Sequence, residues 1–439
     1  MYPDSNSKSA KLFERAFKSF PGGSQRHPVS HKPYIVYADN ADGCRIMDVD
    51  GVSRIDFVNN FSALIHGHAH PAILKAATRQ IHSFTCSTMP SESTLELAEL
   101  LIDRIPSVER IIFGNTGTEA VLFGVKAARA YTGRPKIAKI EGGYHGQFDL
   151  VQHSFTATPE NWGPEDAPVT VPLDKGTPQA VLDLSVVMSP NNVEASRTVL
   201  RRHGDELAAV IVDPIPARLA CKPLTAEYLA MLREETTRLG IVLIFDEVIS
   251  LRVGYRGAQG VLGVTPDLTI MGKIIGGGFP IGALGGKKEI MDVFDGSAGP
   301  ATVFFGGTFS SNPVSMSAGC ASMSLLTPDV FNRLEKQGDH LRAGLVEAAK
   351  NVNCPAAING TASLTHVFPL ADKPFLTYRE SFDGMTADSM AHLAEFHMHM
   401  LNEGVLVSPQ GHLYASTAMT DEDIDFTIEA AYRSFKKIA

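Results

Sequence analysis

Four short segments place groups that bind or react directly after runs of β-forming residues. Gly114-Asn115-Thr116-Gly117-Thr118-Glu119-Ala120 follows Arg110–Phe113, and Glu141-Gly142-Gly143-Tyr144-His145-Gly146 follows Lys136–Ile140. Asp246-Glu247 ends the run Ile241–Phe245, and Gly272-Lys273 ends Leu268–Met271. The first segment opens into a helical pattern. Free N–H groups at a helix start, beside glycine and small hydroxyls, suit a phosphate; a plain Thr N-cap with an acidic first turn would give the same letters. In the second, glycines leave the Tyr144 ring free to lie on a flat ligand or simply to pack. A carboxylate such as Asp246 at the end of a buried strand needs a compensating partner. A phosphate-bound Mg²⁺, a protonated ring nitrogen and a helix cap all meet that need. Lys273, followed by Ile274-Ile275, would have a lowered pKa and act as an amine nucleophile, although most lysines are solvated surface groups.

Two nucleotide signatures fail on these residues. A P-loop requires Gly five positions before Gly272, where Asp267 stands, and Ser or Thr after the lysine, where Ile274 stands. In the only near-match to a dinucleotide fingerprint, Glu141 occupies the first glycine position. A phosphate cradle, an aromatic, a strand-end Asp and a strand-end Lys remain. That set fits pyridoxal 5′-phosphate (PLP): phosphate at the helix start, ring against Tyr144, ring nitrogen on Asp246, aldehyde as a Schiff base on Lys273.

The elements that must position these groups alternate strand and helix. β-rich runs at Arg110–Phe113, Lys136–Ile140, Ala208–Val212, Ile241–Phe245 and Leu268–Met271 are separated by amphipathic helical patterns. Two of these are Glu119–Tyr131 and Ala226–Leu239, the latter closed by Gly240. This predicts an α/β fold with a mostly parallel, helix-covered sheet whose ligands bind beyond the C-terminal strand ends. The first segment, residues 1–75, carries a helical pattern ending at Pro21-Gly22-Gly23 and then a small antiparallel meander. Residues 76–320 form the large domain, and residues 321–439 a smaller α+β domain that the N-terminal segment joins. The polar, Pro-rich stretch 157–179 reads as an exposed loop.

The composition bounds the partners. The chain has 439 residues, 39 Lys+Arg against 48 Asp+Glu, a net charge of −9, and is 44% hydrophobic, which excludes fibrous and disordered classes. The acidic balance argues against nucleic acid and anionic membranes as partners. The five cysteines lack metal spacing, the N-terminus is polar, and the longest apolar runs fall far short of a membrane span. A metal-free, soluble, cytoplasmic protein is the expectation.

In order and spacing, the four segments resemble the class III aminotransferases. Gly67-His68-Ala69-His70-Pro71 and Gly307-Thr308-Phe309-Ser310-Ser311-Asn312-Pro313 add to the likeness, which runs along essentially the whole chain. Within the class, the chain is similar to β-phenylalanine-type aminotransferases and to glutamate-1-semialdehyde aminomutases. The resemblance implies a fold type I PLP transferase and a homodimer with shared active sites. Lys273 would be the Schiff-base lysine and proton shuttle, and Asp246 would hold the ring-nitrogen proton. Val248 would pack on the ring face opposite Tyr144. Gly117 and Thr118 would bind phosphate, joined by Thr308 of the neighbouring subunit, with Thr116 and His145 in the same cofactor-binding motifs. Asp213 replaces the Glu usual in the family. Arg26, after Pro21-Gly22-Gly23, matches the arginine that clamps the substrate carboxylate in β-phenylalanine-type enzymes through a bidentate fork. Aminomutases place theirs later, where this chain has Ser30-His31. Gln410 stands where those β-phenylalanine-type enzymes hold the acceptor carboxylate with Arg. The resemblance therefore implies an amino donor that is a β-amino acid or related amine, and an oxo-acid acceptor. An intramolecular aminomutase is the alternative.

Overall fold

A seven-stranded sheet carries every one of the four segments. Across it the strands run Arg110–Gly114, Gly282–Gly286, Leu268–Gly272, Val242–Asp246, Leu207–Val212, Lys136–Ile140 and Ser185–Met188. Neighbours are parallel from Ser185–Met188 across to Leu268–Gly272, while Gly282–Gly286 runs antiparallel to both of its neighbours. The computed structural model describes residues 2–369, 377–384 and 386–439.

Burial on both faces explains the continuous apolar strands. Ala209 and Ile211 of Leu207–Val212 pack in one core with Ala120, Val121 and Ala128 of the helix Gly117–Thr132. Val210 and Val212 pack in another with Tyr228, Leu229 and Leu232 of the helix Ala226–Leu239. Alternate residues of one strand thus serve opposite helical layers, the period-2 rule of a pleated chain. Each helix has a hydroxyl N-cap, Thr116 or Thr225, and a left-handed glycine at its C-terminus, Gly133 or Gly240.

Two strands of this sheet escape the sequence reading. Ser185–Met188 is short and follows a long polar stretch. Gly282–Gly286 holds three glycines in five residues, against β-propensity. Close approach explains the glycines: a Cβ on Gly282 would overlap the Thr116 carbonyl, and one on Gly286 would overlap the Leu268 side chain. Between Gln152 and Gln179 there is no regular element. That stretch is nevertheless internally bonded, with Val169 N on Trp162 O at 2.8 Å and Ser154 N on Val171 O at 2.6 Å.

The chain divides into two compact units. One gathers the described residues within Ala72–Pro328 and Phe375–Phe382, and holds the seven-stranded sheet. The other gathers those within Met1–Pro71, Asp329–Pro374 and Asp383–Ala439. In this second unit the meander Ala38–Asp42, Arg45–Asp48 and Ser53–Asp56 gains Val405–Leu406 as a parallel fourth strand. A three-stranded antiparallel sheet, Ala356–Thr361, Leu364–Pro369 and His412–Tyr414, lies in the same unit. No described helix is long and apolar enough to cross a membrane.

Candidate active site

The Val242–Asp246 strand delivers Asp246 to the C-terminal edge of the sheet, 6% exposed. Its Oδ2 lies 2.8 Å from Nδ1 of the buried His145, and its Oδ1 accepts from Val248 N at 3.2 Å. Facing a carboxylate, Nδ1 is the protonated nitrogen of a neutral ring. Burial, the dominant cause, pushes the His145 pKa down against the opposing pull of Asp246. Its other nitrogen, Nε2, is buried without a partner.

The neighbouring strand ends at Gly272, and Lys273 follows with φ +51. A left-handed lysine is strained, and such strain persists where the surroundings over-determine it. Burial lowers the Lys273 ammonium pKa to about 8, opposed by the charges of Asp246 and Asp213 and assisted by that of Arg252. Asp213, at the end of Leu207–Val212, is pushed up to about 8 by burial and by the negative charge of Asp246; its Oδ1 accepts from Ile215 N at 2.9 Å. Burial thus disfavours the charged form of this carboxyl.

The start of the helix Gly117–Thr132 converges on the same place. Thr116 Oγ1 accepts from Glu119 N at 3.1 Å, so its hydroxyl serves as the N-cap. Glu119 returns to the Asn115 backbone N–H at 2.5 Å. Gly117 and Thr118 occupy the first two helical positions, whose N–H groups have no intrahelical acceptor. A Cβ on Gly117 would lie 2.9 Å from Val248 Cγ2, and one on Gly272 3.5 Å from Val248 Cγ1. Val248 therefore bridges the helix start and the lysine-bearing strand end. Gly146, with φ +102, has room only for hydrogen where its Cβ would approach Thr118 Oγ1 at 2.8 Å. The Tyr144 ring remains 51% exposed and lies 5.6 Å from that of Phe155.

Thr116, Gly117, Thr118, Tyr144, His145, Asp213, Asp246, Val248 and Lys273 thus belong to one unit and gather at one sheet edge. Thr308 is in the same unit, exposed, with its carbonyl 3.8 Å from Cys86 Sγ. Arg26 and Gln410 fall in the other unit. There Arg26 Nη1 donates to Asn60 Oδ1 at 2.9 Å, and its guanidinium lies 5.7 Å from the Phe61 ring centroid. Gln410 Nε2 donates to Pro28 O at 3.1 Å, two positions along from Arg26. Asn59, Asn60, Phe61 and Ser62 run left-handed with φ of 47, 49, 56 and 71°. Only the asparagines, the non-glycine residues most tolerant of that region, hint at this turn in the sequence.

Three neighbours of the site, Arg379, Tyr378 and Lys139, lie outside the sequence motifs. Glu141, 1% exposed, pairs with Arg379 through Oε1 at 2.8 Å and Oε2 at 3.0 Å. Gly142, with φ +70, lies flat against the Tyr378 ring, which a Cβ would overlap. Lys139 is wholly buried, with Nζ on His153 O at 2.7 Å and a pKa lowered by burial to about 7. A lysine inside the otherwise apolar run Lys136–Ile140 was the available signal.

The model for class III aminotransferases matches residues 27–434. An ω-transaminase from Sphaerobacter thermophilus superposes with a TM-score of 0.96 at 45% identity, covering 100% of this chain and 99% of that one. A β-phenylalanine aminotransferase from Variovorax paradoxus gives 0.85 at 31% identity, covering 97% and 93%. A curated relative, glutamate-1-semialdehyde 2,1-aminomutase 2 of Brevibacillus brevis, is 38% identical over 98% of both chains.

Proposed function

The chain belongs to the class III aminotransferases, which are PLP-dependent enzymes, and from that premise we propose that it moves an amino group from a β-amino acid or related amine to a 2-oxo acid, with Lys273 as the reacting lysine. The residues at the sheet edge fit the cofactor. Gly117 and Thr118 offer free N–H groups to a phosphate at a helix N-terminus. Val248 and Tyr144 supply an apolar surface and an exposed ring for its two faces. Asp213, at the end of the neighbouring strand, stands where the family usually has the longer Glu, and would hold the 3′-oxygen side only if the shorter side chain reached it. Bound there, PLP supplies an electron sink for the carbanion left when a substrate C–H proton departs.

The protein's own groups do the rest. Asp246, oriented by His145, keeps a proton on the ring nitrogen, because a neutral pyridine withdraws electrons poorly. Lys273 Nζ takes the substrate proton and returns it. An amine with a pKa of about 8 is deprotonated in about a tenth of molecules at pH 7, far more than an ordinary lysine. A second copy of the chain brings Thr308 to the phosphate, forming a homodimer with shared sites.

Arg26 carries the substrate reading. Its guanidinium is held by Asn60 and Phe61 rather than by a carboxylate among the described residues, which leaves its fork for a donor carboxylate. The relative at 38% identity named as an aminomutase supports a second reading, intramolecular amino transfer. One screen separates the two. Holoenzyme is mixed with α-, β- and ω-amino donors, and loss of the visible cofactor absorbance is followed. β-Amino donors are expected to react fastest, and oxo acids to restore the absorbance. Product formed from a single substrate without any oxo acid would favour the aminomutase. Arg26→Ala should slow carboxylated donors by roughly ten- to a hundredfold, the worth of a charge-assisted pair, and leave simple amines unchanged. Equal loss for both would remove Arg26 from substrate binding.

A further inference from the structure

Arg218 lies in the turn Ala217–Leu219, just past Asp213 and the end of the Leu207–Val212 strand. Its guanidinium is 4.6 Å from the Phe155 ring centroid, and the Phe155 ring is 5.6 Å from that of Tyr144. One aromatic ring thus separates this cation from the ring that would face the cofactor. Three residues further on, Cys221 lies close enough to Lys273 to influence its charge.

The hydrogen bonds of Arg218 leave much of its fork unused. Nη2 reaches Phe155 O only at 3.5 Å, the side chain bonds the Tyr378 hydroxyl, and Nε is buried without an acceptor. Among the described residues it has no carboxylate partner. Some arginines of the same unit do, among them Arg379 with Glu141, Arg233 with Asp267 and Arg201 with Glu235, while others such as Arg134 are held by several carbonyls instead. Asp213, the nearest acid in sequence, makes no ion pair with it and engages its Oδ1 with Ile215 N. A guanidinium stacked on an aromatic face, with a donor still unsatisfied, has a planar fork positioned for an incoming carboxylate.

We propose that Arg218 binds the carboxylate of the 2-oxo-acid acceptor, the charge for which Gln410 offers only a neutral amide. Gln410 Nε2 is moreover engaged by Pro28 O. The assignment rests on the reading of Lys273 and Tyr144 as the cofactor site.

The test uses holoenzyme loaded with an amino group from 1-phenylethylamine, which has no carboxylate. The reverse half-reaction is then followed by the return of visible absorbance with pyruvate, 2-oxoglutarate and the uncharged propanal. Arg218→Gln should raise the KM for both oxo acids roughly ten- to a hundredfold and leave propanal unchanged. Arg218→Lys should recover part of the loss, since charge survives and the fork does not. Calorimetric binding of propionate to Arg26→Ala holoenzyme, which lacks the donor fork, should disappear when Arg218→Gln is added. Equal changes for oxo acids and propanal would overturn the proposal, making Arg218 a support for Phe155. Undiminished propionate binding would overturn it as well. If no amine alters the absorbance of the unaltered protein, the transaminase reading itself fails, and the propionate arm still decides for Arg218.

Discussion

Lys273 combines a backbone held left-handed at φ +51 with surroundings that act against the ammonium form, the form that cannot react as a nucleophile. Burial acts against the ammonium and lowers its pKa from 10.5 to about 8, although Asp246 and Asp213 pull the other way. The sign of the pH dependence follows. Below about pH 8 the amine is mostly protonated and cannot attack a carbonyl; above it the neutral form dominates. The rate at which apoprotein captures added PLP, read by visible absorbance, should therefore climb with pH and level off above about 8. A midpoint near 10.5 would show that Lys273 is solvated. Lys273→Ala should abolish turnover and leave no lysine labelled by borohydride reduction. The placement of these groups was legible from the letters: the lysine, the aspartate, the helix-start glycine and the tyrosine each follow a β-rich run. The His145 contact was not, because 101 residues separate it from Asp246 and nothing in either segment announces the pairing.

At the scale of elements, the loop bearing Tyr144 and His145 is pinned by a short helix far along the chain. Glu141 and Arg379 are 238 positions apart, with side chains 1% and 15% exposed. Arg379 also donates to Gly163 O at 2.8 Å and stacks 4.7 Å from the Trp162 ring, while the Tyr378 hydroxyl donates to Ala157 O at 2.8 Å. The irregular stretch after Gln152 and the Tyr144 loop thus share one anchor. Removing the cation strands a buried carboxylate, which costs about 3–5 kcal/mol. Arg379→Ala should lower the unfolding free energy by that amount, read as a fall in the thermal midpoint, and weaken PLP retention. The double variant Glu141→Gln/Arg379→Met should recover most of the stability, since no charge is left buried. If both variants melt like the parent, the pair does not hold the loop. Periodicity located several of the helices and most strands because one face or both must be apolar. It could not locate Gly282–Gly286, where glycine answers to the Thr116 carbonyl rather than to a hydrophobic face, or a clamp formed by two residues so distant in sequence.

For the whole molecule, a site shared between two copies would be complete only in the assembly. Phe304 and Met89 are 82% and 76% exposed, with Phe309 at 59% and Phe84 at 38%. Their segments adjoin, since Asn312 Nδ2 donates to Thr85 O at 3.0 Å and Cys86 Sγ to Thr308 O at 3.8 Å. Large apolar side chains gathered on one surface favour association, and Thr308 stands among them. If a second copy covers this surface, Thr308 serves the phosphate of that copy, and two dead chains can rebuild a live site. A Lys273→Ala chain has an intact Thr308, and a Thr308→Arg chain has an intact Lys273. Each homodimer should be inactive. After dissociation and random reassociation, about half of the dimers are mixed, and each contains one site with both residues native. Activity should return to about a quarter of that of the parent protein. Were Thr308 to act on the phosphate of its own chain, every site in the mixture would carry one lesion, and no activity would return at any mixing ratio.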